Sequence, residues 1–164
     1  KVGNPTDKDC DVGPMISEGE AVRAESWVKE AVAAGATVLA GGKRRGAVLE
    51  PTVIGGVKPD MKVVCDEAFA PLVTITTYKD FDCALGQLAD TIYGLQAGIY
   101  TRDIAKALRA IEKLDFGGVI INDTPIFRVD NMPYGGNKLS GIGREGVRFA
   151  AEEMTNLRMV VIRP

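Results

Sequence analysis

Apolar positions in the first quarter of the chain follow a helical and then an extended pattern. Between residues 17 and 34, small and branched apolar side chains recur at helical spacing. Ser17 followed three residues later by Glu20 matches a capping box, which predicts the helix start, and Gly35 is suited to the left-handed residue after its last turn. The run 37–40 (TVLA) then predicts a short buried strand.

Strand and helix patterns alternate through the middle of the chain. The clearest strand covers 72–78 (LVTITTY), in which β-branched and apolar residues alternate. The other predicted elements are an irregular segment over 1–16, an extended run over 48–53, a loop with a short strand over 57–64, helices over 81–89 and 103–114, and strands over 96–101 and 119–122. This alternation predicts one α/β domain with a mostly parallel sheet flanked by helices.

The pattern breaks after Asn122. Residues 123–143 are rich in Gly and Pro and have no periodicity, and structureless loops of this length inside a domain are usually functional. A helix is predicted over 144–154, and 156–163 (NLRMVVIR) predicts a terminal strand with apolar residues on both faces.

Composition excludes several classes of function. The 164 residues carry a net charge of −2 and contain no His, which removes Ser-His-Asp and Cys-His catalysis and the commonest metal ligand. The charge balance predicts neither a nucleic acid nor a membrane surface as partner. No apolar run approaches the ~20 residues that a membrane span needs.

The three cysteines, Cys10, Cys65 and Cys83, have neither disulfide nor zinc-site spacing. We therefore expect no metal site, and free thiols in a reducing compartment, the cytoplasm. The chain begins at Lys1 directly in turn-forming residues, so we expect it to be cut from a longer protein; a processed full-length protein is the alternative.

Motifs spread along the chain resemble those of the aldehyde dehydrogenase superfamily. Residues 67–71 (EAFAP), before the strongest strand, resemble the family's E-x-F-G-P motif, with Ala70 where Gly is usual. Further segments resemble family patterns in the family's order: 2–5 (VGNP), 11–16 (DVGPMI), 50–53 (EPTV), 93–103 (YGLQAGIYTRD), 118–122 (GVIIN), 133–138 (PYGGNK) and 140–145 (SGIGRE).

The resemblance implies that residues 1–154 are the C-terminal part of the catalytic domain and that 155–164 form an oligomerisation strand. The parent protein is then expected to oxidise an aldehyde to a carboxylic acid with NAD or NADP, as a homo-oligomer with a small-molecule aldehyde as substrate. In the family the nucleophilic Cys, the general base and the dinucleotide-binding domain lie upstream, so the chain alone is expected to be inactive. The alternative is a stand-alone, non-catalytic scaffold or oligomerisation module.

Glu67 and Phe69 are the candidate cofactor-binding residues. The resemblance implies that the Glu67 carboxylate accepts hydrogen bonds from the nicotinamide ribose hydroxyls and that Phe69 packs near the same end of the cofactor. A carboxylate can accept from two vicinal hydroxyls at once, and its charge strengthens both bonds. The alternative is a surface Glu67 beside a core Phe69.

Tyr134, Phe127 and Arg128 are the candidate substrate-binding residues. By resemblance the loop 123–136 forms a wall of the aldehyde pocket. The run FRVD occurs in members acting on small, often anionic aldehydes such as lactaldehyde or phosphorylated and phosphonate-bearing ones. A guanidinium pairs bidentately with a carboxylate or a phosphate. The alternatives are that the aromatic residues pin the loop to the core and that Arg128 pairs with Asp130 or Asp123.

Glu145 matches a family position credited with a proton relay, the only catalytic role that the resemblance assigns within the chain. A carboxylate far from bulk water has the raised pKa that a relay needs. The alternative is a carboxylate at a helix N-terminus, favoured by the helix dipole and by Arg144. Asn122, at the root of the loop, is expected to fix turn geometry.

Overall fold

The computed structural model describes all 164 residues and contains five helices and nine short strands. The helices are α1 (Glu18–Ala33), α2 (Lys62–Cys65), α3 (Phe81–Ala89), α4 (Ile104–Lys113) and α5 (Val147–Glu153). The strands are β1 (Thr37–Ala40), β2 (Arg44–Arg45), β3 (Val48–Leu49), β4 (Thr52–Gly55), β5 (Leu72–Ile75), β6 (Tyr93–Gly94), β7 (Gln96–Ile99), β8 (Gly118–Ile121) and β9 (Asn137–Lys138). The chain divides into two compact units, residues 1–77 and 78–164, each with its own hydrophobic core. No helix is both long enough and apolar enough to cross a membrane.

Helix α1 begins and ends where its capping residues predict. The Ser17 hydroxyl oxygen accepts a hydrogen bond from the backbone N–H of Glu20 at 3.2 Å. At the other end Gly35 has a φ of +102°, and the Ala36 N–H donates to the Ala31 carbonyl at 2.9 Å. These bonds satisfy backbone groups that a helix end otherwise leaves unpaired, which confirms both predicted boundaries.

The first unit is built on a three-stranded sheet with the strand order β1-β4-β5. Strand β4 pairs antiparallel with β1 and parallel with β5, and Ile54 in β4 is fully buried. Strands β2 and β3 form a separate antiparallel hairpin. The core of the unit combines residues of α1, α2 and β4 with one residue next to each helix: Val28, Ala31, Ala36, Ile54, Met61 and Val63. The turn before β5, at residues 66–71, is thereby attached to a packed sheet.

The second unit contains a parallel strand pair, β7 and β8, joined through helix α4. Carboxylates cap both of its longer helices: Asp80 accepts from the Cys83 N–H at 2.8 Å and Asp103 from the Ala105 N–H at 2.9 Å. Strands β6 and β9 form a short antiparallel pair, and β9 lies within the Gly- and Pro-rich segment 123–143, the Gly-rich loop. The core residues are Leu85, Ala97, Ala110 and Leu114.

The predicted α/β class is confirmed, whereas the pairing is more mixed than the expected mostly parallel sheet. Only β4–β5 and β7–β8 pair in parallel, and these two pairs have a helix in the connection between their strands. The remaining pairs, β1–β4, β2–β3 and β6–β9, are antiparallel. Parallel pairing needs a long crossover, so strands joined by a short turn, such as β2 and β3, pair in the antiparallel sense.

Three local predictions are wrong. Strand β1 is not buried, because it is an edge strand of which only Val38 packs against the core. The short strand predicted within 57–64 is instead the helical turn α2, whose Val63 fills the core. The helix predicted from 144 begins at Val147, because the backbone of Glu145 pairs with another segment and Gly146 has a φ of +116°.

The terminal segment 156–163 forms no strand in this chain, contrary to the sequence prediction. Its residues pair with no other backbone segment and are exposed throughout, including the apolar side chains of Leu157, Met159, Val161 and Ile162. A strand needs a partner edge to satisfy its backbone groups, and the chain supplies none for this segment.

Candidate functional site

The turn that carries Glu67 and Phe69 is held by hydrogen bonds to its backbone. Arg23 of α1 donates from Nη2 to the Ala68 carbonyl at 2.8 Å, and the Pro71 carbonyl accepts from the Thr52 N–H at 2.8 Å. The Arg23 guanidinium also lies over the Trp27 ring, 4.6 Å from its centroid. The turn is therefore held at Ala68 by α1 and at Pro71 by β4, while the side chains of Glu67 and Phe69 remain free.

Phe69 adopts a conformation that local sequence preferences disfavour. Its φ is +46°, in the left-handed region, and its side chain is 80% exposed. The alternative in which Phe69 is a core residue is therefore wrong for this chain. Strained backbone at a non-glycine residue persists where the surroundings impose it, often at ligand sites. Ala70, at the position where the family pattern has Gly, has no positive φ, so its methyl group is accommodated.

The Glu67 carboxylate is exposed and forms no hydrogen bond or ion pair within the chain. All of its acceptor sites are therefore available to a ligand that offers hydroxyl donors, such as a ribose diol. The structure keeps Glu67 and Phe69 on one short turn of the first unit, as the sequence expects. An exposed carboxylate next to an exposed aromatic ring is chemically suited to the sugar and the ring of a nicotinamide nucleoside.

Arg128, Tyr134 and Glu145 form a cluster in the second unit. The Arg128 guanidinium lies over the Tyr134 ring, 4.2 Å from its centroid, and its Nη2 donates to a Glu145 carboxylate oxygen at 3.0 Å. The backbones of Tyr134 and Glu145 pair as an antiparallel bridge. The distance from the Tyr134 nitrogen to the Glu145 carbonyl oxygen is 3.1 Å, and that from the Glu145 nitrogen to the Tyr134 carbonyl oxygen is 2.5 Å. The structure thus brings three of the predicted site residues into contact. Their spacing in the sequence does not predict that contact.

The pairing of Arg128 differs from both structural partners considered from the sequence. Neither Asp130 nor Asp123 contacts the guanidinium; the Asp123 carboxylate instead accepts from the neighbouring Thr124 N–H at 2.7 Å. Glu145 takes their place because its backbone bridge to Tyr134 brings it to the loop. Arg128 is 47% exposed, so its guanidinium is accessible from solvent.

Glu145 does not have the environment expected of a buried relay carboxylate. Its side chain is 67% exposed, and it lies before the N-cap of α5 rather than within the helix. The expectation that Arg144 stabilises this carboxylate is also wrong, because the Arg144 guanidinium donates to the Gly136 carbonyl instead. The burial of Glu145 in this chain therefore gives no support to a relay role. Its carboxylate instead forms an ion pair with Arg128.

Phe127 is half exposed beside Arg128, and its backbone rather than its ring is anchored. Its N–H donates to the Thr124 carbonyl at 3.1 Å, and its carbonyl accepts from the Gln96 side chain at 3.4 Å. The ring is not part of the core of the second unit. This arrangement leaves an aromatic surface on the loop next to the guanidinium.

Arg144 is a structural residue that the sequence analysis missed. Its guanidinium donates to the carbonyls of Gly136 and Gly143 at 3.1 and 2.7 Å and to the Asn137 side chain at 2.6 Å. It thereby closes the Gly-rich loop around an open cavity of about 310 Å³, which Tyr134 and Glu145 also line. An Arg directly after Gly-x-Gly is the signal that could have identified it, since loop carbonyls there lack other donors.

Asn122 fixes the turn geometry at the start of the loop, as the sequence predicts. Its φ is +62°, and its side-chain oxygen accepts from the Thr101 N–H at 2.8 Å. Asn tolerates the left-handed region better than most residues, and its amide replaces a backbone acceptor. The loop therefore leaves β8 in a fixed direction.

None of the three cysteines has the surroundings of an activated nucleophile. Cys65 and Cys83 are exposed, and Cys10 is half-buried with its thiol 3.4 Å from the Val12 carbonyl. The pKa of the Cys83 thiol is raised from its ordinary value, because the hydrogen-bonded Asp80 carboxylate beside it disfavours the thiolate. No three His, Cys, Asp or Glu side chains lie close enough together to bind a metal ion.

The sequence model of the aldehyde dehydrogenase family matches residues 1–160 of the chain. The chain belongs to the aldehyde dehydrogenase family. Its curated relatives include the 3-sulfolactaldehyde dehydrogenase of Priestia aryabhattai, 49% identical over 98% of the chain, and the lactaldehyde dehydrogenase of Methanococcus vannielii, 44% identical over 98%. The chain spans about a third of the length of each, 34% in both cases.

Solved aldehyde dehydrogenase structures match the fold closely. Aldehyde dehydrogenase 21 of Physcomitrella patens, in complex with the reaction product succinate, has a TM-score of 0.91 and 51% identity, over 94% of this chain and 32% of that one. The glyceraldehyde-3-phosphate dehydrogenase of Methanocaldococcus jannaschii, in complex with NADP, has a TM-score of 0.90 and 46% identity, over 95% and 34%. Family membership and α/β architecture are therefore both shown.

Proposed function

We propose that the chain is the C-terminal part of the catalytic domain of an NAD- or NADP-dependent aldehyde dehydrogenase that converts an aldehyde to a carboxylic acid. The observation that carries the proposal is the family match over residues 1–160 in a chain spanning about a third of its relatives. The motif order from residue 2 to residue 145 also supports it. If the chain is instead a stand-alone scaffold, its reading frame ends near 164 residues rather than roughly three times that length.

The first unit serves the cofactor side of the reaction. Bound NAD or NADP would supply the hydride acceptor for oxidation of the aldehyde, and the nucleophilic cysteine that the resemblance places upstream would form the covalent adduct. Glu67 would hold the cofactor by accepting hydrogen bonds from the two hydroxyls of the nicotinamide ribose, and Phe69 would pack near the same end of the cofactor. The exposed carboxylate, free of protein partners, fits this role.

The second unit serves the substrate side. Tyr134 and Phe127 contribute apolar wall, and Arg128 binds an anionic group at the end of the aldehyde distant from the carbonyl. The supporting observation is a guanidinium that is fixed over an aromatic ring yet 47% exposed. Two comparison proteins agree with an anionic substrate: one is a 3-sulfolactaldehyde dehydrogenase, and another was solved with succinate. Small anionic aldehydes, including lactaldehyde derivatives, are therefore the proposed substrates.

Replacing Arg128 by Gln in the full-length protein tests the substrate side. The ratio of kcat/KM for succinic semialdehyde to that for uncharged butanal should fall roughly tenfold, as expected for loss of one partly exposed charge-assisted bond. Arg102→Gln, which removes an exposed arginine outside the loop, should leave the ratio unchanged. An unchanged ratio in Arg128→Gln would show that the substrate's anion is bound elsewhere.

The segment 155–164 is the proposed oligomerisation strand of a homo-oligomer. Its apolar side chains are all exposed and the backbone of residues 156–164 is unpaired within the chain, so pairing with a neighbouring copy would satisfy both. Free cysteines on the surface suit a cytoplasmic location for the parent protein.

Deleting residues 156–164 tests the strand. The intact chain should self-associate at least to a dimer in light scattering, and the truncated chain should shift toward monomer. A variant with Leu157, Met159 and Val161 changed to Ser, which keeps the length, should resemble the deletion. Monomers in all three samples would contradict an assembly role.

A further inference from the structure

Glu145 neutralises the arginine that the proposed function assigns to the substrate's anion. The Arg128 Nη2 and the Glu145 carboxylate oxygen are 3.0 Å apart, so the two charges form a direct ion pair. No other carboxylate in the chain contacts this guanidinium. In the absence of substrate, the net charge at the proposed anion site is therefore close to zero.

The backbone holds Glu145 in this place. The antiparallel bridge between Tyr134 and Glu145 fixes the two residues opposite each other, with hydrogen bonds in both directions. The Tyr134 ring and the Glu145 carboxylate consequently contact the same guanidinium, one on its face and one at its edge.

The guanidinium keeps donors for a second anion. Arginine has five N–H donors in a planar fork, and only Nη2 of Arg128 has an acceptor within the chain. An incoming carboxylate or sulfonate can use the remaining edge of the fork, but it then lies close to the negative charge of Glu145. Like charges at such distances repel, although exposure to solvent screens the repulsion.

We propose that Glu145 is a specificity-determining counter-charge, which acts through Arg128 to weaken the binding of anionic aldehydes relative to uncharged ones. The inference rests on the proposed function, because it takes Arg128 as the anion-binding residue. It assigns Glu145 a role distinct from a proton relay. A relay affects every aldehyde alike, whereas a counter-charge affects only substrates that carry a charge.

Glu145→Gln separates these roles because the amide oxygen of Gln can still accept from Arg128 while the charge is lost. In the full-length protein, the ratio of kcat/KM for succinic semialdehyde to that for butanal should rise about three- to tenfold, the size of a screened charge interaction. The ratio does not depend on the fraction of active enzyme. Glu152→Gln, which removes the charge of an exposed carboxylate paired with Arg148 in α5, should leave the ratio unchanged.

The double variant Arg128→Gln/Glu145→Gln completes the test. Its ratio should exceed that of Arg128→Gln by a smaller factor than the ratio of Glu145→Gln exceeds that of the unmodified protein, because only the direct repulsion between Glu145 and the substrate's anion is left to relieve. The inference is overturned if Glu145→Gln leaves the ratio unchanged or lowers it, including an equal loss for both aldehydes, or if the ratio rises as much without Arg128. In those cases a lowered ratio in Arg128→Gln still supports the proposed function. No change of the ratio in Arg128→Gln overturns both the inference and the assignment of Arg128 to the substrate's anion.

Discussion

The purified 164-residue chain will show no aldehyde-dependent reduction of NAD or NADP above the rate in buffer. The proposed reaction needs a thiolate nucleophile, and the chain's cysteines lack an activating base. The Asp80 carboxylate beside Cys83 raises the pKa of that thiol and so disfavours its thiolate. The cofactor also needs a dinucleotide-binding domain, which the proposal assigns to the part of the protein outside this chain.

The measurement is absorbance at 340 nm with succinic semialdehyde and butanal, each with NAD and with NADP. The full-length protein, assayed in parallel at the same molar concentration, is the positive control. Saturable turnover by the chain, surviving a second purification step, would contradict the assignment of the nucleophile to another part of the protein. A triple variant with Cys10, Cys65 and Cys83 changed to Ser would then identify whether one of them is responsible.

Glu67→Gln in the full-length protein should lower kcat by roughly 100-fold. Two charge-assisted bonds to the nicotinamide ribose are weakened together, and hydrogen bonds to charged groups contribute about 1.5–3 kcal/mol each. The loss falls mainly on kcat if the ordered nicotinamide is needed for hydride transfer, which then becomes rate-limiting. The measurement is steady-state kinetics, with a deuterated aldehyde to detect a primary isotope effect.

Asp66→Asn is the matched control for Glu67→Gln. Asp66 is an adjacent exposed carboxylate that follows helix α2, and it has no proposed contact with the cofactor. Its removal should leave kcat and the isotope effect unchanged. If Glu67→Gln behaves like Asp66→Asn, Glu67 is an ordinary surface residue and the turn has no role in cofactor binding.

The boundaries of the longer helices could be predicted because their causes are local. Ser17 and Gly35 delimit α1 through bonds that span three to five residues, and the carboxylate of Asp103 caps α4 in the same way. Such bonds depend on the backbone of the helix itself, so tertiary packing has little influence on them. The same holds for the βαβ alternation, which predicts the α/β class correctly.

Strand pairing and burial could not be predicted to the same depth. Whether 37–40 is buried depends on its place at the edge of a sheet. The apolar residues within 57–64 fit a strand as well as they fit the helical turn α2. The tail 156–163 has strand-forming composition, yet no edge in this chain pairs with it. Each outcome depends on a partner distant in sequence, which local propensity does not encode.

The sequence by itself determined the family resemblance, the longer helices α1, α3 and α4, and the identity of the candidate site residues. Only the tertiary structure decided how these residues meet. It placed Phe69 on the surface with a left-handed backbone, and it paired Arg128 with Glu145 instead of Asp123 or Asp130. The physical reason is that an ion pair between loop residues depends on which backbones are bridged. Here the bridge from Tyr134 to Glu145 brings the carboxylate to the guanidinium.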